Sequence, residues 1–375
     1  MGDTLRATDA DDQSAAFRRG LESALGAFLE QPRIEAIKPF GTDVGSDDSI
    51  AKVTGYGKPI LIRARDVHGH EHAFVFHTAR ADRFGHDRRA DRAAEMLLGY
   101  DTFSSIPRHA PAVDVGAVTK SGSLISLRDG TEFYLLTGYV PGRVYAEEMR
   151  ALAQRKELRD GDVERCRALA DYLVDLHREP LEARGAYERA VRDLVGSGEG
   201  IFGILDSYPA DTPGITEGEL RAIERSCVDF RWRLRSRAGR LRRIHGDFHP
   251  FNILFDESSA LHLLDASRGS LGEPADDVAC LAINYVFFAL CHPGSWHGCF
   301  ERLWFDFWRR YLEKSGDDGL LAVTAPFFAW RALVLSSPAW YSGLPAPART
   351  RLLGLCRHAL TLERFDPGLA QGLFP

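Results

Sequence analysis

The spacing of the apolar residues changes near residue 140, and this change constrains the fold more than any other feature of the chain. Before it, short alternating runs predict strands over 34–40, 60–64, 73–78, 113–118, 124–127 and 132–137. After it, apolar residues recur at the helical period over 166–177, 217–236, 276–290, 300–314 and 324–334. The pattern predicts an α+β fold, with a small mixed antiparallel sheet followed by a larger, mainly helical part.

Two helical patterns accompany the strands of the first part, one over about 12–30 that Pro32 ends and one over 86–98. The junction itself carries the breaker sequence GYVPG. We therefore predict an N-terminal domain over 1–137, a short hinge over 138–143 and a helical C-terminal domain over 144–375. A chain of 375 residues that is 45% apolar can bury the core that two such units need.

Composition narrows the partners and the compartment. A formal net charge of −6 gives no global attraction to nucleic acid or to an anionic membrane, and we expect neither partner. The six cysteines form no C-x-x-C pair, which favours a reducing compartment. The acidic amino terminus does not resemble a signal peptide, and the most apolar run, 278–291, is too short to span a bilayer. We expect a cytoplasmic protein.

One stretch, IHGDFHPFNILF, brings an aspartate, an asparagine and two histidines together directly before a predicted hairpin. The loop of this hairpin is predicted to have four residues, 257–260, so that Ile253 pairs with Leu264. This register places Asn252 opposite Asp265 at one end of the hairpin. An amide oxygen and a carboxylate therefore converge at one point.

Oxygen ligands at one point suit a hard divalent cation such as Mg²⁺. A magnesium ion held by the two residues Asn252 and Asp265 would share its remaining positions with water and nucleotide phosphates. Asp247, five residues before Asn252, is then free to receive a proton from an attacking hydroxyl. The combination predicts phosphoryl transfer.

The same stretch resembles the catalytic loop H-G-D-x-H-x-x-N of the aminoglycoside phosphotransferase and choline kinase family, distant relatives of the protein kinases. The matching residues are His245, Gly246, Asp247, His249 and Asn252. The resemblance implies a two-lobed, protein-kinase-like fold, ATP and Mg²⁺ as cofactors, and Asp247 as the base. His245 and His249 belong to the implied catalytic set, and both could instead be core histidines bonded to backbone.

Other segments extend this resemblance. GEPADDVACLA, from Gly272, is similar to the family's G-D-P-A-x-D-L-A, in which Asp277 would brace the catalytic loop from a helix start. LLTGYVPGR resembles the family's hinge. The resemblance implies that ATP binds between the lobes, with its adenine on backbone groups of Gly138, Tyr139 and Val140, where the pattern leaves peptide groups unpaired.

The first part of the chain departs from the family, which brings a lysine from its third strand onto the nucleotide phosphates. AFVFHTAR contains no lysine. A hairpin with Asp66 opposite Glu71 puts Ala73, Val75 and His77 on one face, where His77 would replace the lysine. A histidine that is mostly neutral at pH 7 does so poorly unless nearby phosphates raise its pKa.

Two other cations, Lys52 and Arg80, could make the phosphate contact in place of His77. Glu95 matches by distance the glutamate that pairs with the family's lysine. It could equally be a solvated helix residue paired with Arg92 or Arg88.

Two classes of function remain. The first is an ATP-dependent kinase for a hydroxyl of a small molecule such as a sugar, amino alcohol, aminoglycoside or natural product, with a protein serine or threonine as a further alternative. The second is a regulatory, nucleotide-binding pseudokinase, which the missing lysine favours. The set of Asp247, Asn252 and Asp265 favours the enzyme, because a protein that only binds nucleotide needs no base.

Overall fold

The structure is a computed structural model, and it describes residues 15–39, 59–82, 85–266 and 268–374. Lys52, one of the predicted phosphate contacts, lies outside the described residues. The chain divides into two compact units, Met1–Thr137 and Gly138–Pro375.

Three antiparallel strands form the main sheet of the first unit, in the order β1, β2, β3. They are β1 (Arg33–Pro39), β2 (Ile60–Arg65) and β3 (Glu71–Phe76). A helix over 15–25, α1, packs on one face of this sheet. The residues buried between them are Leu21, Leu25, Ile34, Ile62 and Ala64. The opposite face carries Arg63, Ala73 and Val75, which are exposed, and we name it the open face.

The predicted register of the β2–β3 hairpin is wrong by one residue, because Glu71 pairs with Arg65 and not with Asp66. Asp66 closes a three-residue loop instead. Its backbone N–H donates to the carbonyl of His70 at 3.1 Å. Its carboxylate Oδ1 accepts the backbone N–H groups of His68 and His70, each at 2.9 Å. Because the Asp66 carboxylate accepts the N–H groups of the loop, the loop closes with one residue fewer than predicted.

The rest of the first unit is a helix and a two-stranded ribbon. They are α2 (Arg89–Thr102), β4 (Gly116–Val118) and β5 (Leu124–Ser126). The strand predicted over 132–137 is wrong, since these residues have no regular structure and are exposed. Tyr134, Leu135 and Leu136 are 93%, 89% and 88% exposed. A run of apolar residues favours a strand only if a partner strand is available to complete its backbone hydrogen bonds.

Helices dominate the second unit. They are α3 (Tyr145–Arg155), α4 (Asp160–Leu176), α5 (Arg184–Gly196), α6 (Ile201–Asp206), α7 (Glu217–Arg235), α8 (Ala275–Cys291), α9 (Glu301–Ser315), α10 (Thr324–Ser336) and α11 (Ala346–Thr361). The short strands are β6 (Arg143–Val144), β7 (Arg242–Arg243), β8 (Ile253–Phe255), β9 (Leu261–Leu263) and β10 (Leu271–Gly272). Small antiparallel sheets in one unit and mainly helix in the other confirm the α+β class.

Helix α8 is the centre of the second unit, and all of its residues except the last are buried. Its sequence is apolar on every side, which is typical of a helix surrounded by others. The polar side chain of Asn284 is satisfied within the helix, where it donates to the carbonyl of Cys280 at 2.7 Å. The dense packing fixes the position of the first turn of α8, which carries Asp276 and Asp277.

The β8–β9 hairpin also differs from its predicted register by one residue. Ile253 pairs with Leu263, and Asn252 lies opposite Leu264, whose N–H donates to the Asn252 carbonyl at 2.9 Å. Asp256 closes this loop at three residues, since its N–H donates to the carbonyl of Ala260 at 3.1 Å. The predicted pairing of Asn252 with Asp265 is therefore wrong.

Within the part of the chain that the structure describes, the helices are all too short or too polar to cross a membrane. The six cysteines are free thiols.

Candidate active site

The segment 245–252 forms a tight loop between β7 and β8. Gly246 has φ 81°, a conformation that only glycine adopts without strain, and a Cβ there would lie 3.1 Å from the carbonyl oxygen of Gly269. The loop is closed by its own backbone, since the N–H of His249 donates to the Asp247 carbonyl at 2.8 Å. Glycine at this position therefore lets the chain turn sharply between β7 and Asp247.

The buried side chain of Asp277 anchors this loop through hydrogen bonds to its backbone. Its carboxylate, which is 0% exposed, accepts the backbone N–H of His245 at 2.7 Å and that of Gly246 at 2.8 Å. The Nε2 atom of His177 lies 3.2 Å from the same carboxylate, and its Nδ1 lies 2.8 Å from the hydroxyl of Tyr311. Burial alone would raise the pKa of Asp277, but the hydrogen bonds from His177 and from the two N–H groups lower it below the ordinary value. An ionised Asp277 therefore braces the loop.

His245 connects the loop to the strand that follows. Its Nε2 lies 2.8 Å from the carbonyl oxygen of Leu264, and its Nδ1 accepts the N–H of Asp247 at 3.2 Å. This pair of contacts requires the proton on Nε2. Both ring nitrogens are engaged with backbone, as in the alternative that the sequence left open for His245, and its catalytic role stays a prediction.

The carboxylate of Asp247 lies among three side chains. Arg331 donates to its Oδ1 at 2.6 Å, and Asn252 donates to its Oδ2 at 3.2 Å. The Nε2 atom of His249 lies 3.4 Å from the same Oδ2, while the Nδ1 of His249 accepts the N–H of Phe251. The structure thus brings the predicted residues Asp247, Asn252 and His249 together and adds Arg331 to them.

These contacts decide the charge of Asp247. Burial by itself would raise its pKa, but the hydrogen bond from His249 and the positive charge of Arg331 outweigh burial and hold the pKa well below the usual range of a carboxyl group. Asp247 is therefore ionised at neutral pH. An ionised carboxylate can orient a hydroxyl group and accept its proton.

Arg331 was not predicted from the sequence. It lies on α10, 84 residues after Asp247, and is 7% exposed. It also donates to the Gly246 carbonyl at 3.1 Å and to Asp276 at 3.3 Å. A lone arginine in the apolar run APFFAWRALVLS was the available signal, because a buried guanidinium needs an anionic partner.

A second arginine, Arg268, completes a charged cluster around the loop. It donates to Asp276 at 3.0 Å and to the carbonyl of Gly246. The guanidinium carbons of Arg268 and Arg331 lie 3.8 Å and 3.9 Å from the centre of the Trp330 ring. The two arginines offset the charges of Asp247 and Asp276.

Asn252 and Asp265, the predicted metal ligands, remain near each other despite the corrected register. The amide nitrogen of Asn252 donates to the carbonyl of Asp265 at 3.3 Å, which leaves the amide oxygen for another partner. Asp265 has φ 52°, and its exposed carboxylate has no hydrogen bond or ion pair with the described residues. Those residues contain no cluster of three or more His, Cys, Asp or Glu that could hold a metal ion. Two hard oxygen donors fit Mg²⁺ that takes its other ligands from water and phosphates.

In the first unit, His77 follows the end of β3 and is exposed. Arg63 pairs with Ala73 and so lies on the same open face as Val75. It is exposed and has no ion pair with the described residues. Arg63 was not among the phosphate contacts predicted from the sequence. The signal for it was its position in a strand whose side chains alternate between the two faces of the sheet.

Glu95 lies on α2 with its carboxylate 3.4 Å from Nε2 of His86. Arg92, which the sequence offered as an alternative partner, donates to the carbonyl of His86 at 2.7 Å instead. Gly138 and Tyr139 are exposed, Tyr139 to 90%, and the segment 138–140 has no regular structure. Among the described residues, no hydrogen bond or ion pair joins Glu95 to His77.

A family model described as the phosphotransferase enzyme family matches residues 108–298, just over half of the chain. The chain belongs to this family. The match includes the loop 245–252, the brace Asp277 and the predicted metal ligands, so the resemblance drawn from the sequence is confirmed. Arg331 lies beyond the matched residues.

Solved structures of other phosphotransferases have low similarity to this chain. A glucosamine kinase has 15% identity and a TM-score of 0.40, covering 89% of this chain and 92% of its own. An ethanolamine kinase from Plasmodium vivax has 14% identity and a TM-score of 0.35 over 81% of this chain and 79% of its own. Choline kinase LicA from Streptococcus pneumoniae has 12% identity and a TM-score of 0.35 over 91% and 97%. None of the curated proteins matches the chain significantly. With identities and TM-scores this low, the likenesses do not identify an acceptor.

Proposed function

We propose that this member of the phosphotransferase enzyme family moves the γ-phosphoryl group of ATP to a hydroxyl group of a small molecule. The observation that carries the proposal is the ionised carboxylate of Asp247, held by Arg331 and Asn252 on a loop that the buried Asp277 braces. Family membership supports the reaction class. The contacts around Asp247 support the position of the base.

The proposed chemistry needs little from the protein beyond positioning and charge, because phosphoryl transfer passes through a loose transition state. Asp247 orients the acceptor hydroxyl and takes up its proton as the bond between the hydroxyl oxygen and the γ-phosphorus forms, while the bond from that phosphorus to the bridging oxygen breaks and ADP leaves. Asn252 and Asp265 would hold Mg²⁺, which would neutralise the charge of the phosphate groups. His245 and Asp277 keep the loop in place, and His249 donates to the carboxylate of the base.

The nucleotide contacts outside the loop 245–252 form a separate part of the proposal. The exposed peptide groups of 138–140 would bind the adenine edge. Arg63 is a better phosphate contact than His77, because its charge is permanent and its place on the open face is fixed by pairing with Ala73. Arg80 is exposed and stays an alternative.

A pseudokinase is the second candidate, and one observation favours it. Strand β3 has the sequence EHAFVF, which offers no lysine for the phosphates. The two candidates differ in one measurable property, since a pseudokinase would bind Mg·ATP without transferring its phosphoryl group.

The test combines calorimetry of Mg·ATP binding with ATP consumption across a panel of hydroxyl compounds. We expect Asp247→Asn to lower kcat about a hundredfold or more and to leave ATP affinity close to wild type, because only the proton acceptor is lost. Asp265→Ala should weaken Mg²⁺-dependent ATP binding itself. Asp229→Asn, an exposed change on α7, is the matched control and should alter neither value. Wild-type protein that binds ATP and transfers to no compound of the panel would move the conclusion to the pseudokinase.

A further inference from the structure

Arg331 differs from the other buried charged residues of the second unit, because all three groups to which it donates lie in or next to the loop 245–252. They are the carboxylate of Asp247, the carbonyl of Gly246 and the carboxylate of Asp276. Two of these partners belong to the loop 245–252, and the third lies on α8 beside the brace Asp277. Arg331 therefore ties α10 to the loop at the base itself.

Stability alone does not account for this arrangement. Removing a guanidinium from water is costly, and buried ion pairs replaced by apolar residues often leave a protein equally stable. The Nε atom of Arg331 is buried without a hydrogen-bond partner among the described residues, so its burial is not fully compensated. The geometry that Arg331 imposes on its partners is a further effect of this arrangement.

That geometry distinguishes the two oxygens of Asp247. Oδ1 is held by the guanidinium at 2.6 Å. Oδ2 has only longer contacts, 3.2 Å to the amide of Asn252 and 3.4 Å to His249. A charge-assisted hydrogen bond near 2.6 Å holds its acceptor closely, whereas Oδ2, at 3.2 Å and 3.4 Å from its two neighbours, is held less closely.

We infer that Arg331 is a positioning residue for phosphoryl transfer, which anchors Oδ1 of Asp247 so that Oδ2 meets the acceptor hydroxyl. The inference rests on the proposed function. The planar guanidinium fixes the rotation of the carboxylate as well as its place, which a flexible lysine ammonium would do less well. Trp330, whose ring packs 3.9 Å from the guanidinium carbon, limits the freedom of the arginine in turn.

The test compares Arg331→Met, Arg331→Gln and Arg331→Lys with a matched control, Arg349→Met. Arg349 is 6% exposed and donates to the backbone carbonyls of Ser336 and Tyr341, so it is a buried arginine of the same unit with no contact to the loop. We expect Arg331→Met to lower kcat about a hundredfold while KM for Mg·ATP stays close to wild type, since a misplaced base slows only the transfer step. Arg331→Lys should recover part of the lost kcat, and Arg349→Met should keep the wild-type value.

Folding is checked by tryptophan fluorescence, and Arg331→Gln provides a variant that retains an N–H donor if Arg331→Met unfolds. Wild-type kcat in folded Arg331→Met or Arg331→Gln would overturn the inference. So would equal losses of kcat in Arg331→Met and Arg349→Met, which would show a general effect of losing a buried arginine.

A second arm needs no acceptor and separates this inference from the proposed function. Crystal structures of the wild type and of Arg331→Met, or of Arg331→Gln, would show the carboxylate of Asp247 directly. We expect the carboxylate to rotate away from its wild-type orientation in the variant, and an unchanged orientation would overturn the inference. Absence of transfer by the wild type, together with a rotated carboxylate in the variant, would reject the proposed function and keep Arg331 as the residue that positions Asp247.

Discussion

The β2–β3 hairpin of the first unit and the β8–β9 hairpin of the second unit close with the same turn. Each begins at an aspartate, Asp66 or Asp256, whose N–H donates at 3.1 Å to the carbonyl four residues later. Oδ1 of Asp66 accepts the N–H groups of the second and fourth residues after it at 2.9 Å, and Oδ1 of Asp256 does so at 2.8 Å and 2.9 Å. The sixth residue is a histidine, His72 or His262, with Nε2 3.0 Å from the other carboxylate oxygen.

The two turns differ at the residue with positive φ and in what they position. The first has Gly69 at φ 85°, and the second has Ser259 at φ 62°. Glycine adopts this conformation freely, whereas a residue with a Cβ pays a steric penalty there. The first hairpin places Arg63 on the open face, and the second begins directly after Asn252. The comparison teaches that the aspartate defines this turn and that glycine only makes it easier to form.

The largest expected difference between the hairpins is in function. Asp256→Ala should lower transfer activity about tenfold, because loss of the cap loosens the register that sets Asn252 and Asp265, and small displacements of such groups are costly. Asp66→Ala should leave kcat unchanged and act only on the first unit. Initial rates for both variants measure this, with the exposed loop change Glu257→Ala as the control. Equal losses of kcat for the two capping residues would break the comparison.

Acid should weaken both turns together. The hydrogen bond from His72 lowers the pKa of Asp66, and the Ser258 hydroxyl followed by His262 lowers that of Asp256. A carboxyl group whose pKa is lower in the folded state stabilises the protein above its unfolded pKa, about 4, and loses this contribution as the pH falls through the folded value.

The measurement for this prediction is the urea midpoint of wild type, Asp66→Asn and Asp256→Asn between pH 6 and pH 3. Each variant should be less stable than wild type at pH 6, and the gap should narrow towards pH 3 because the asparagine does not titrate. A gap that stays constant over this range would contradict the ionic role of the two caps.

Gly69→Ala tests the need for glycine in the first turn. A Cβ at Gly69 would have no atom within 4 Å, so any effect comes from the backbone alone. We expect the free energy of unfolding of the first unit to fall by about 1 kcal/mol, the penalty for a side chain at positive φ. Amide hydrogen exchange of β2 and β3 measures it. Gly161→Ala, on α4 and also without nearby atoms, should not lower stability in its own unit.

Ser259→Gly is the reverse change and has the smallest expected effect. Relief of the steric penalty should exceed the entropy that glycine adds to the unfolded chain, so the second unit should gain about 0.5 kcal/mol. All six tryptophans lie after residue 138, so tryptophan fluorescence during urea unfolding reports on this unit. A midpoint equal to or below that of the wild type would mean that Ser259 is held without strain.

The shared turn also explains which parts of the fold could be predicted from the sequence. Alternation of apolar residues located β2 and β3, where one face is buried, and short apolar runs located β8 and β9. Both registers were nevertheless wrong by one residue, and for the same reason. In each hairpin, backbone N–H groups donate to the carboxylate of a capping aspartate, and the loop has three residues instead of the predicted four. The spacing of apolar residues does not reveal such hydrogen bonds, so it could not predict the shorter loops.

The candidate site divides along similar lines. Asp247, Asn252 and Asp277 could be found because their spacing along the chain reflects local geometry and a family motif. The apolar pattern around Arg331 indicates a buried arginine that needs an anionic partner, but it does not indicate that this partner is Asp247, 84 residues away. Helices α3, α5, α6 and α11 were also not predicted, although the buried residues of α5, Tyr187, Val191, Leu194 and Val195, recur at the helical period.

The exposed segment after β5 has a practical consequence for handling the protein. Phe133, Tyr134, Leu135 and Leu136 follow one another with exposures from 60% to 93%, immediately before the boundary between the two compact units. Aromatic and leucine side chains are the residues after which chymotrypsin cuts, and exposed backbone outside regular structure is where proteases enter first. Brief digestion of the full chain should therefore release two fragments that meet near residue 137, which offers a direct way to ask whether each unit survives alone.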